Sequence, residues 1–296
     1  MAEHLFDQVR PYLRRPVEER VAFIRSPRWI GYEKAVAAHR ALDDLLARPP
    51  TLRPPGLLLL GPYANGKTMI AERFAITHFK EVQKLGKRQR VWVVQTREGA
   101  GLVHFHAAIL HALRAPTSKT RDLVAKGEQI DLLFAQLMPR ILIFDEFHNA
   151  LRGRNRDVEA IFAYLRRLGR EHDVSPVLVG EVAVYDHVVA TEEMASRFAL
   201  AAVPRWRYGD EFLSLLDSLE AALPLARASD LSEEAMARRL FAMSEGLIGE
   251  LVRVVSEAAI LAIQGGEQQI TTRLIEALGH VPLSRRRGAP AREALL

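Results

Sequence analysis

The chain has 296 residues, 49% of them hydrophobic and 26% charged, which fits a soluble globular protein with the core of one large domain or two modest ones. It contains no cysteine, so disulfides and thiolate metal sites are excluded. Lys and Arg total 41 against 36 acidic residues, a balance of +5 that permits nucleic-acid binding without requiring it.

The N-terminus "MAEHLFDQVRPYLRRPVEER" is charged throughout, and no apolar run approaches the roughly 18 residues a membrane helix needs. Neither a signal peptide nor a membrane span is expected, and the cytoplasm is the expected compartment. Residues 15–48 read as mostly helical with a break at "SPRWIG", and the prolines of "RPPTLRPPG" (48–56) make a linker. "LLLL" (57–60) suits a strand buried on both faces. A helix is expected from Lys67 to about Lys80, a strand over "VWVVQ" (91–95) and a helix over 101–114. Further helix leads into the strand "ILIFD" (141–145). Val158, Ile161, Phe162, Leu165 and Leu168 then recur on one helical face. "VLVG" (177–180) and "ALAAV" (199–203) supply two more strands. Strands alternating with helices predict a parallel sheet covered on both sides. From Gly209 the strand signal vanishes, and four helical stretches separated by Pro, Gly and cap residues form a small helical domain. "RRRGAPAREALL" reads as a loosely held tail.

"GPYANGKT" (61–68) fits G-x-x-x-x-G-K-[ST] between a strand and a helix. Gly61 and Gly66 let the loop wrap so that its amides face phosphate oxygens, and the helix start adds its positive dipole end. Lys67 would reach the β- and γ-phosphates, and the Thr68 hydroxyl would bind Mg²⁺. At the end of a buried strand, Asp145 is placed to hold the magnesium shell and Glu146 to orient or deprotonate a water. Arg197 in "MASRFAL" either reaches a neighbouring subunit's site as an arginine finger or is salt-bridged on a helix end. Glu181 sits where a γ-phosphate sensor would, but a carboxylate facing phosphate is electrostatically poor. Arg253 either touches nucleotide or sits on a surface helix. The histidines of "HFHAAILH" (104–111) do not share one helix face, which disfavours zinc. Trp29 and Tyr32 in "WIGY" border an adenine pocket or pin the N-terminal segment to the core. Basic clusters at 84–90, 151–156, 165–170 and 284–287, taken together, favour DNA as a partner.

The alternating core, "GPYANGKT", "ILIFDE", "SRF" and the helical C-terminal region resemble an initiator-like AAA+ ATPase. More narrowly, "VAFIRSPRWIGYEKAVAAHRALDDLL", "EFHNALRG" and "GLIGELVRVVSEAAILAI" resemble TniB, the ATP-binding transposition protein related to the TnsC regulators. The resemblance covers roughly residues 15–282. It implies an α/β AAA+ P-loop core with a five-stranded parallel sheet in the order 5-1-4-3-2 and a small C-terminal helical lid. The division it suggests is an N-terminal helical segment packing on the core (1–50), the core (51–208), the lid (209–282) and a basic flexible tail (283–296). ATP would be held by Gly61, Pro62, Tyr63, Ala64, Asn65, Gly66, Lys67, Thr68 and Met69, with Ile30 and Gly31 against adenine. Mg²⁺ would sit on Thr68 and Asp145. Glu146, Lys67 and Arg197 would carry the hydrolysis of ATP to ADP and phosphate.

The family further implies rings or helical filaments on double-stranded DNA that recruit the transposase, with a TniQ-type adaptor, nucleotide at subunit interfaces, and hydrolysis controlling disassembly. Thr96, Arg97, Lys119 and Arg121 are the implied DNA-backbone contacts, which would make binding sequence-tolerant and salt-dependent. Two positions depart from related chains: Glu181 replaces a small polar residue, and Gly249 and Glu250 fall where a lid sensor arginine is usual. A helicase loader or replication initiator keeps the fold but changes the work. A signalling NTPase switch would bind ATP without DNA-stimulated assembly, and a metabolic kinase would gain nothing from the helical lid.

Overall fold

The computed structural model describes residues 3–99, 101–116 and 122–286. Its strands are β1 (Gly56–Leu60), β2 (Val91–Gln95), β3 (Ile141–Asp145), β4 (Ser175–Gly180) and β5 (Phe198–Ala202). The main helices are, in chain order, α1 (Val17–Arg25), α2 (Glu33–Ala47), α3 (Lys67–Leu85), α4 (Leu102–Ala112), α5 (Leu123–Leu137), α6 (Asn155–His172), α7 (Ala183–Val189) and α8 (Glu192–Ala195). They continue as α9 (Asp210–Ala221), α10 (Glu234–Ser244), α11 (Ile248–Gln264), α12 (Thr272–Ala277) and α13 (Leu283–Arg286). Two compact units divide the chain: Glu33–Pro204, and Met1–Tyr32 together with Arg205–Leu296.

The first unit holds one parallel sheet in the order β2-β3-β4-β1-β5, the expected 5-1-4-3-2 read from the other edge. Every residue of β1, β3 and β4 is buried, whereas the edge strands β2 and β5 are partly exposed. Burial on both faces is why the inner strands are unbroken apolar runs rather than alternating ones. The register sets Leu57 beside Val177, Gly56 beside Phe198 and Val91 beside Ile141. The helix α3 runs past Lys80 because its stop signal is Gly86 at φ 60°, whose amide closes on the Gln83 carbonyl at 3.3 Å. The five apolar positions expected on α6 are all buried, and Tyr164 joins them. Under that helix Phe105 stacks on Phe144 at 4.9 Å and Phe147 meets Phe162 edge-on at 5.8 Å.

The second unit is helical, with Phe212, Leu216, Leu240, Val254, Ala258 and Ile275 at its centre. Ile24 of α1 belongs to this cluster, and the buried Arg20 donates through Nε to the Pro224 carbonyl at 3.2 Å. The N-terminal segment is therefore divided. Residues through Tyr32 group with the C-terminal helices, and α2 packs in the sheet unit against α3, β1 and β5. The expected flexible tail is corrected at its start: Ser284 N donates to Glu245 Oε2 at 3.2 Å, and Arg286 pairs with Glu250. Residues 287–296 lie outside the described residues.

Candidate nucleotide-binding site

β1 delivers the chain into the loop at Gly61, whose amide donates to the Gly180 carbonyl at 3.2 Å. A Cβ on Gly61 would stand 2.1 Å from the Val203 carbonyl oxygen, so the chain leaving β5 can pass only a glycine. Two left-handed residues, Ala64 at φ 55° and Gly66 at φ 84°, curl the loop, the alanine at a cost on the order of 1 kcal/mol. The Asn65 side chain is buried, and its Nδ2 donates to the carbonyls of Val203 and Pro204 at 2.7 Å each. Asn65 thus fastens the loop to the end of its own unit and offers a phosphate its backbone alone. No side chain caps the start of α3, which leaves its first amides and positive dipole end for an anion. Pro62, Thr68 and Met69 are partly exposed around it, and Tyr63 is exposed at the tip.

The Lys67 side chain is buried, with Nζ donating to the Gly61 and Pro62 carbonyls at 3.0 and 2.8 Å. Burial lowers its pKa, while the charges of Glu146, Glu181 and Asp145 pull it back up. Glu181, though exposed, is therefore near enough to act on the lysine's charge.

β3, separated from β1 by β4, ends at Asp145, only 1% exposed. Its Oδ1 accepts the Glu146 amide at 2.9 Å, and its Oδ2 is buried without a hydrogen-bond partner among the described residues. Burial raises the Asp145 pKa, with the Thr68 side chain and the Glu146 amide opposing. A buried carboxylate oxygen left unsatisfied beside a hydroxyl is a donor set that suits a small hard cation, so the residues fit Mg²⁺. Glu146 follows in the left-handed region at φ 52° and opens the 3-10 turn Phe147–Arg152. Its Oε2 lies 3.3 Å from Nδ1 of His148.

Arg197 precedes β5, and its carbonyl accepts the Gly56 amide at 2.8 Å at the opposite end of β1 from the phosphate loop. Its guanidinium lies 3.5 Å from Glu193, so it is remote from its own chain's site. Thr96 is corrected as a DNA contact: it is 4% exposed, and its amide donates to the Asp145 carbonyl at 2.9 Å, tying β2 to β3. Arg97 is exposed, whereas Lys119 and Arg121 lie outside the described residues. Ile30 and Gly31 belong to the helical unit, where with Trp29 they line a cavity beside Phe6, Asp7 and Ser218. Arg253 donates to Glu250 at 3.0 Å and lies 3.1 Å from His280 Nδ1.

Of the three histidines on α4, His106 is buried while His104 and His111 are exposed. Among the described residues, Asp131, Glu171 and His172 come close enough to share an ion. Arg167, however, donates to both Asp131 oxygens at 3.0 and 3.2 Å and to Glu171 at 2.9 Å, so an arginine already neutralises them. Sequence reasoning missed His148 and Gly180. The first was visible as a polar residue two places after Glu146. The second carries no signal until β4 is seen lying against β1. Among the described residues no helix is long and apolar enough to cross a membrane.

Comparison with known proteins agrees with this geometry. The chain resembles the ORC1 protein of Aeropyrum pernix solved in complex with DNA, with a TM-score of 0.65 and 15% identity over 87% of this chain and 68% of that one. The ORC2 protein of Aeropyrum pernix in ADPNP-ADP complexes gives a TM-score of 0.61 and 16% identity over 86% of this chain and 70% of that one. In sequence, the chain is 26% identical over 265 residues to the ATP-dependent zinc metalloprotease FtsH 2 of Conexibacter woesei, covering 83% of this chain. It spans about a third of that relative's length (33%). The family described as "Bacterial TniB protein" matches residues 20–208. With its parallel 2-3-4-1-5 sheet and phosphate loop, the chain belongs to the TniB family and has the AAA+ ATPase fold.

Proposed function

We propose that this chain binds and hydrolyses ATP with magnesium, and that ATP controls its assembly on double-stranded DNA as a regulator of transposition. The observation that carries the reading is the convergence of Lys67, Asp145 and Glu146 on one end of the sheet, with Lys67 feeling the charge of both carboxylates. Lys67 exchanges its two loop carbonyls for β- and γ-phosphate oxygens. Thr68 and Asp145 hold the magnesium, which when bound neutralises charge on the phosphates. Glu146 orients the attacking water and accepts its proton. Arg197, at the far end of β1, serves the site of a neighbouring copy, which places nucleotide at subunit interfaces.

Membership of the TniB family supports the transposition role, with the transposase and a TniQ-type adaptor as partners in the cytoplasm. The structural neighbour solved with DNA supports DNA as a ligand, and the exposed Arg97 is the described candidate for its backbone. The decisive experiment sediments and images the protein with duplex DNA under ATP, ADP and no nucleotide, alongside Lys67→Ala and Glu146→Gln. ATP-dependent rings or filaments that Lys67→Ala abolishes and Glu146→Gln prolongs support the reading. ATP binding with no response to DNA would remove the transposition mechanism and favour a signalling switch.

A further inference from the structure

We infer that His148 is the positioning residue for Glu146, fixing its carboxylate against the phosphate loop so that it can orient water. The inference rests on the ATPase reading above and deepens it.

The backbone brings the two side chains together. Glu146 is left-handed at φ 52° and ψ 39°, and the Asn149 amide closes on its carbonyl at 3.0 Å. That tight turn folds residue 148 back alongside residue 146 and leaves His148 Nδ1 3.3 Å from Glu146 Oε2. Nδ1 is buried and makes no hydrogen bond among the described residues, and Glu146 Oε2 at 3.3 Å is the acceptor a small rotation of the ring would reach. With its proton on Nδ1, the ring has one acceptor to serve, the carboxylate.

The ring lies beside β4. A Cβ on Gly180 would stand 3.8 Å from His148 Nδ1, 3.5 Å from its amide nitrogen and 2.9 Å from Val184 Cγ2. The Gly180 carbonyl in turn accepts the Gly61 amide, the first of the phosphate loop. Phosphate loop, Gly180, His148 and the carboxylate therefore lie beside one another in that order. A histidine that merely filled space would not leave an unsatisfied buried nitrogen 3.3 Å from the one carboxylate expected to handle water.

Two full-length variants separate donor from bulk. His148→Phe keeps a ring against Gly180 without a donor, and His148→Asn places its Nδ2 where Nδ1 was with less bulk. Single-turnover hydrolysis and ATP affinity are measured separately, with Glu146→Gln as reference and melting temperatures to verify folding. His148→Phe should slow hydrolysis about tenfold with ATP affinity held within about twofold, while His148→Asn stays within about threefold of the unsubstituted rate. Unchanged hydrolysis in His148→Phe, an equal loss in both variants, or a loss of affinity matching the loss of rate would overturn the inference. If the unsubstituted protein binds ATP but never hydrolyses it, the ATPase reading falls and takes this inference with it. Hydrolysis that Glu146→Gln stops and His148→Phe leaves intact overturns the inference alone.

Discussion

Lys67 bonds two carbonyls of its own loop while three carboxylates act on its charge, so its ammonium offsets acidic groups that would otherwise repel a phosphate. Removing a charged hydrogen-bond donor of this kind costs about 1.5–3 kcal/mol, so Lys67→Ala should weaken ATP roughly tenfold to a hundredfold in a calorimetric titration. His106 makes a separate prediction about pH. Burial first, and then the charge of Arg167, push its pKa down to about 4. The unfolded chain takes up a proton as pH falls through about 6.5, but the folded chain refuses it until about 4. Its contribution to stability is therefore complete above about 6.5 and is lost progressively down to about 4. Between pH 7 and pH 5 the fold should lose about 2 kcal/mol through this residue alone, and His106→Phe should flatten that slope in thermal melts. Lys67, Thr68, Asp145 and Glu146 were legible in the sequence because each lies in a short contiguous motif whose spacing the chemistry dictates. Burial of the Thr96 side chain was not, since a threonine after a strand looks the same whether it faces solvent or the next strand.

Elements were legible where both faces or one full stripe are buried. β1, β3 and β4 announce themselves as apolar runs, and α6 by its spacing, because burial dictates those patterns residue by residue. Leu165 on α6 is buried in the core of the sheet unit, and Leu165→Ala should cost about 2–5 kcal/mol in denaturant melts. Gly61→Ala tests a different constraint, since its methyl would stand 2.1 Å from the Val203 oxygen. Either β5's exit or the phosphate loop must shift, so this variant should lose stability and ATP binding together in paired melting and titration measurements. The partner of an element is harder to read than its existence. α1 and α2 follow one another in sequence, yet Ile24 and Arg20 anchor α1 among the C-terminal helices while α2 lies on α3. Amphipathic spacing says that a helix has an apolar face and not which cluster that face will join.

For the molecule as a whole, the telling feature is that Lys67 and Arg197 occupy opposite ends of the sheet, separated by at least the length of β1, roughly 13 Å. A site needing both must borrow one from another copy. Lys67→Ala subunits lack the phosphate-binding lysine but keep the arginine, and Arg197→Ala subunits do the reverse. Mixing the two inactive proteins should restore hydrolysis to a measurable fraction of the original, whereas an arginine acting within its own chain would leave the mixture inactive. The same separation leaves two kinds of assembly that this contact could build. An antiparallel pair would complete both sites at once, whereas copies in which one surface gives and a different surface receives join head to tail. A closed ring would complete every site, but an open row would always carry one unfinished site at a single end. Such a row has direction, and growth and loss at its two ends need not be alike.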